Sequence, residues 1–103
     1  MKFHRLTYPI FMIPEVEDRG EPRIETHSGW ADENEQFGFF NTGKRWVATD
    51  LRSGRMITRG ATRKACAEWI EANRTKLELK YASKEYQVMV FEFEAMKRRY
   101  NYD

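Results

Sequence analysis

Hydrophobic and polar positions change period along the chain, and each change marks a different element. From Gln36 to Gly60 the runs are short and alternating: Phe37, Phe39 and Phe40 lie in the first, NTG at Asn41–Gly43 breaks the chain, and RSG at Arg52–Gly54 breaks it again. Three antiparallel strands are predicted in residues 36–60: one through the phenylalanines, one over Arg45 to Asp50 and one over Arg55 to Arg59. Gly54 suits the left-handed position that closes a short hairpin loop. With Leu51 opposite Arg55, the period of two sets Trp46 and Ala48 beside Met56 and Thr58 on one face. The other face then carries Arg45, Val47, Thr49, Arg55, Ile57 and Arg59.

Past Gly60 the period lengthens. Ala65, Cys66, Trp69, Ile70, Asn73 and Leu77 recur at intervals of three and four, with Thr62 placed as an N-cap, and predict one helix over residues 62–78. Its apolar face is expected against the Trp46 side of the sheet. Tyr86, Met89, Val90, Phe93, Met96 and Tyr100 form a second stripe, which Ser83 can cap, while Lys97, Arg98 and Arg99 suit the negative end of a helix dipole. Val88 and Val90 alternating with Met89 and Phe91 is the strand alternative for residues 84–95; the stripe persists for four turns and favours a helix over residues 83–100.

The first third is less regular. Residues 1–13 alternate in part, but Pro9 cannot donate a ladder hydrogen bond, so an interrupted edge strand is the most the pattern supports. Residues 14–35 hold Gly20, Pro22 and Gly29 without helical periodicity. A long acidic loop is expected there, with a short strand around Arg23 to His27 as the one regular piece it accommodates. The elements together predict one α+β domain, a small antiparallel sheet packed against two helices. Its 103 residues suffice for a single core, and an apolar content of 41% with 15% aromatic residues supports folding.

Charge sharpens this picture. Between Pro14 and Glu35 eight acids face two bases, a balance of −6; between Lys44 and Lys64 seven bases face Asp50 alone, a balance of +6; the rest of the chain after Lys64 cancels. Two charged segments of opposite sign either face each other in the fold or present two surfaces to partners. One cysteine, Cys66, excludes an internal disulfide and fits a reducing compartment. The longest apolar run near the N-terminus, Ile10 to Ile13, is far shorter than a leader core or a membrane span, so no membrane partner and a cytoplasmic location are expected.

Candidate chemistry is sparse. His4, His27 and Cys66 show no metal-ligand spacing, and no phosphate-cradling glycine motif is present, so neither a metal nor another cofactor is expected. Cys66 falls on the apolar helix face, where a thiol acts as a small hydrophobe, and Ser28 and Ser53 lack a recognisable base partner. No catalytic residue is assigned, and an enzyme ranks third among the readings. Trp46 and Trp69 read as the sheet and helix sides of one core. Trp30 stands in a polar context, where it either pins the loop to the domain or serves as a binding hot spot.

What remains is the basic segment. Arg45, Arg55 and Arg59 at alternate hairpin positions, Arg52 at the tip, and Arg63 and Lys64 at the helix start make a surface for macromolecules, with Trp30 as an apolar anchor. The order of tryptophan strand, SG turn, strand and GATRKACAEWIEAN helix over residues 37–77 resembles the arm-binding domains of phage-type integrases, which set a three-stranded sheet against DNA. Its texture is also similar to that of small accessory proteins of phages and other mobile elements, which implies an inhibitor or modulator that clamps a host protein or nucleoprotein complex. The acidic segment suits a charge-complementary protein surface better than a phosphate backbone, so protein binding ranks ahead of nucleic-acid binding.

Overall fold

The structure, a computed structural model, describes residues 1–12, 20–100 and 102. Its architecture is α+β: five antiparallel strands in the order β1-β2-β3-β4-β5, with three helices following them in the chain. The strands are β1 (Phe3–Met12), β2 (Arg23–Asp32), β3 (Phe37–Asn41), β4 (Trp46–Asp50) and β5 (Arg55–Gly60). The helices are α1 (Arg63–Ala72), α2 (Arg74–Tyr81) and α3 (Lys84–Arg99).

The N-terminal third is more regular than its pattern suggests. β1 runs unbroken through Pro9 and pairs with β2 over ten residues, from Phe3 opposite Asp32 to Met12 opposite Arg23. Two residues beyond Pro9, the Phe11 amide points away from β2 and donates to the Gly54 carbonyl at 2.8 Å. Pro9 shares that outward direction, so the proline deletes no ladder bond. The expected acidic loop is corrected over Arg23–Asp32: these ten residues form one strand, longer than the short strand expected around Arg23 to His27, and cross-strand contacts such as Thr7 Oγ1 to Ser28 Oγ, 3.1 Å, replace the apolar alternation that would have announced it. Ile13 and residues 14–19 of the anticipated loop lie outside the described residues. Gly29 has a steric reason: a Cβ there would sit 2.2 Å from the Phe39 carbonyl oxygen, so only glycine lets β2 cross β3 this closely.

Two aspartates organise the turns. After β2, Asp32 Oδ1 accepts from the Gln36 and Phe37 amides, both at 2.8 Å. After β4, Asp50 Oδ2 accepts from the Ser53 amide at 3.1 Å and the Ser53 hydroxyl at 2.6 Å, and Gly54 adopts the expected left-handed φ of 70°. The hairpin register differs from expectation. Asp50, not Leu51, stands opposite Arg55, and the pairing shifts between Ala48 and Thr49. That irregularity reassigns the partners: Ile57 packs on the core beside Trp46, whereas Met56 is exposed.

The main core joins Phe37, Phe39 and Ala48 of the sheet to Cys66, Ile70 and Leu77 of the helices. α1 lies on β4 and β5, capped as expected by Thr62, whose Oγ1 accepts from the Ala65 amide at 2.9 Å. The single helix expected over 62–78 is two. Asn73 leaves helical geometry at ψ 19° and its side-chain amide donates to the Trp69 carbonyl at 2.8 Å, the local competition with the backbone that makes asparagine a poor helix-interior residue. Trp69, expected in the core, is 39% exposed and stands outside the core cluster.

α3 matches its expected span, with Ser83 Oγ accepting from the Tyr86 amide at 3.1 Å. Its Tyr86 and Phe93 are buried; Phe93 packs edge-on against Phe11. The Tyr86 hydroxyl donates to Asp50 Oδ2 at 2.7 Å, tying α3 to the turn between β4 and β5.

Candidate macromolecule-binding groove

A groove of about 890 Å³ runs between the sheet and α1. Phe3, Trp30 and Trp46 supply its sheet side. The strands bring them there: Trp30 stands opposite Phe39, Phe39 opposite Ala48, and strand alternation places Trp46 on the same face as Ala48. Phe3 meets Phe39 edge-on with ring centroids 5.2 Å apart. All three groove aromatics are half-buried, with the inner part of each on the core.

The helix side comes from the first turns of α1. Arg63 lays its guanidinium 4.3 Å from the Phe3 ring centroid and 4.7 Å from that of Trp30, and Arg5 approaches the Trp30 ring at 4.9 Å. Lys64 is among the lining residues, as are Glu68 and Glu71. Lys64 and Glu68 stand 3.9 Å apart with both side chains largely in solvent, an ion pair of little structural worth. Glu71 is held below the ordinary carboxylate range by its hydrogen bond from Arg74, 2.7 Å away. Both signs of charge therefore border one apolar floor.

Arg63 and Lys64 also contradict the electrostatics of their helix. The N-terminal turn is the positive end of the dipole, where acids are favoured and cations disfavoured, and the first turn of α1 has no acid. Stacking on Phe3 and Trp30 offsets this for Arg63. Among the described residues, Lys64 has only the loose contact with Glu68.

The anticipated binding set divides. Trp30, Arg63 and Lys64 converge on the groove, with Trp30 in β2 and not in a loop. Arg45 is exposed just before β4, and Arg59, opposite Val47, belongs to the sheet face away from Trp46 and Ala48. Arg52, in the turn after β4, leans toward the Tyr86 ring at 5.7 Å. Arg55 departs furthest from expectation. It lies 4.0 Å over the Phe11 ring and 3.3 Å from Glu92 of α3, engaged within the fold where an exposed basic stripe was expected. The register puts it opposite Asp50 and so on the helix-covered side.

Sequence reasoning missed Phe3, Arg5, Glu68 and Glu71. The stretch FHR offered a signal for the first two, an aromatic and a cation on alternate positions of one strand, that becomes informative only when β2 supplies Trp30 beside them. Cys66 is buried as expected; desolvation pushes its thiol pKa up, and Sγ donates weakly to the Trp46 carbonyl at 3.7 Å. Among the described residues, no group of three or more His, Cys, Asp or Glu is placed to hold a metal ion, and no helix is long and apolar enough to cross a membrane. No protein-family model matches the chain, and no curated protein or solved structure matches it.

Proposed function

We propose that the protein is a non-catalytic binder that docks a protein partner in the groove between the sheet and α1. The observation that carries this reading is the pair Arg63 and Lys64, held at the helix end that disfavours cations and set beside half-buried Phe3, Trp30 and Trp46. A local choice that costs stability and lines an open aromatic groove is better explained by a ligand than by the fold. Glu68 and Glu71 on the same wall favour a protein segment over a nucleic acid, because they would repel phosphates drawn to the cations. Arg45, Arg52 and Arg59 scatter over different parts of the surface and Arg55 is engaged with Phe11 and Glu92, which supports the same choice. A small accessory factor acting on a host protein complex is the setting the sequence texture suggests.

Affinity capture from extracts of the native host, after nuclease digestion, tests the reading. A partner should be retained by the native protein and lost with Arg63→Glu combined with Lys64→Glu. The reversals suit the helix dipole, so the thermal transition should stay nearly unchanged. Partner capture unaffected by the double reversal would remove the groove from the account. Submicromolar duplex binding at physiological salt, falling by about 0.9 log units per log unit of salt for each neutralised phosphate, would put nucleic acid first.

A further inference from the structure

β1 forms one margin of the sheet, and its main-chain groups alternate between two directions. In an antiparallel pair a residue either exchanges both ladder bonds with the residue opposite or turns both groups away. Phe11, opposite Ile24, turns away: its amide goes to Gly54. Phe3, Arg5, Thr7 and Pro9 share that outward direction, whereas the Lys2 amide, of the other set, is directed to the β2 side and donates to Glu33 Oε2 at 2.7 Å. Pro9 and Phe11 have no amide left to offer. Those of Phe3, Arg5 and Thr7 have no hydrogen-bond partner among the described residues, so the open edge runs from Phe3 to Thr7.

This edge borders the groove. Phe3 and Arg5 turn their side chains to the Trp30 face, where Arg5 and Arg63 approach the one indole ring at 4.9 Å and 4.7 Å. Two guanidinium groups drawn to one ring repel each other, and neither has a carboxylate partner among the described residues. The acids on the helix wall have cations of their own, Glu68 beside Lys64 and Glu71 bonded to Arg74. The charge left unanswered at the open edge is therefore positive.

We infer, resting on the reading that the groove holds a protein segment, that this segment is an extended strand of a partner protein, which adds to β1 in antiparallel register over Phe3 to Thr7 and sets an aspartate or glutamate directly opposite Arg5. Its main chain pairs with the free amides of Phe3, Arg5 and Thr7, and its carboxylate lies with Arg5 and Arg63. The side chain two residues along, opposite Phe3, is apolar and covers that half-buried ring. A second copy of this chain does not fit the same edge. The register that uses all three free residues sets Phe3 opposite Thr7 and Arg5 opposite Arg5 of the copy, like charges at the centre of the pairing.

A phage-displayed library of random nonapeptides, selected on the immobilised full-length protein, supplies the probe. Synthetic versions of the enriched peptides are titrated into the protein while amide hydrogen exchange is followed by NMR. They should carry an acid with an apolar residue two positions away, and their binding should slow exchange at Phe3, Arg5 and Thr7 by at least about tenfold. Thr7→Pro deletes one outward amide, as Pro9 already does two residues on, and should weaken binding roughly five- to tenfold; Thr7→Val keeps the amide and should bind as the native protein does. The exchange readout needs no variant, so it decides the matter even where Thr7→Pro disturbs the strand. Peptides lost with Arg63→Glu combined with Lys64→Glu that leave exchange at the three amides unchanged would overturn strand addition while the groove reading stands. Failure of the library to yield a binder, or a concentration-dependent dimer of the protein alone that slows the same amides, would also overturn it, the groove itself being judged by the partner capture.

Discussion

Tyr81 and Tyr86 invite the same substitution with opposite expected results. Their rings lie 4.8 Å apart between centroids, both are shielded from solvent, and both lose one oxygen on replacement by phenylalanine. Only Tyr86 has a partner, Asp50 Oδ2 at 2.7 Å; the Tyr81 hydroxyl has none among the described residues. A hydrogen bond to a charged acceptor contributes about 1.5–3 kcal/mol. Asp50 Oδ2 keeps two donors from Ser53 when the tyrosine hydroxyl is removed, so the cost of Tyr86→Phe belongs near the lower end, about 1.5–2 kcal/mol. In a domain of this size that is a fall of roughly 6–16 °C in Tm. Tyr81→Phe removes a buried hydroxyl that has lost water and gained nothing, so its effect should be within about 0.5 kcal/mol of zero or stabilising. Urea unfolding followed by far-UV circular dichroism, with the denaturant slope checked for constancy, measures both. Equal losses for the two variants, or a Tyr86→Phe protein as stable as the native one, would refute the view that the Asp50 contact holds α3 to the sheet.

Gly54→Ala should be among the most damaging single-methyl changes: at φ 70° the new Cβ would stand 2.5 Å from the Phe93 ring and 2.9 Å from the Phe11 amide nitrogen, for a combined cost of about 2–4 kcal/mol in urea unfolding. Gly43→Ala is the control, since its φ of 97° carries backbone strain but nothing lies within 4 Å of the added Cβ, so it should lose distinctly less. Alkaline pH should unfold the protein through its buried phenols: burial raises the pKa of Tyr8, Tyr86 and Tyr81, with Tyr81 pushed up from 10.0 to about 12. Their contribution is complete below the unfolded value near 10 and is lost as pH climbs toward the folded values, about 1.4 kcal/mol per pH unit for each phenol in that window. Urea midpoints that stay level from pH 10 to 12 would contradict it.

The parts of the fold that were legible in the sequence share a cause: their signals are local. NTG and RSG turn the chain, Thr62 and Ser83 cap helices with their own side chains, and the α3 stripe repeats often enough to outweigh the strand alternative. β2 was not legible because its regularity is held by β1. Glu25, Thr26, His27 and Ser28 carry no alternating apolar signal, and only a ten-residue partner makes a strand of them. Asn73 fits the apolar helical spacing equally well in one helix or two, and its side-chain bond to Trp69 decides the matter. In the groove, Trp30, Arg63 and Lys64 were visible as residues without an obvious structural duty, but Phe3 and Trp46 join them only through the sheet register. Asp50 and Tyr86 are 36 residues apart, and nothing in the intervening chain announces that they meet.

The bond from Phe11 to Gly54 bears on how the molecule behaves at high concentration. An edge strand that shows a row of free amides is a template on which further copies can add. Along the far part of β1, Pro9 has no amide hydrogen to offer and Phe11 has committed its own to the turn between β4 and β5. That edge is closed to a recruiting strand by covalent structure at one position and by tertiary structure at the next. The opposite margin, β5, is only six residues long and carries the exposed Arg59, a charge of the kind that blunts an edge. Fibrillar addition is thus hindered along the far part of β1, and freeing the Phe11 amide by disturbing the Gly54 turn would expose an assembly-prone edge as well as weaken the fold.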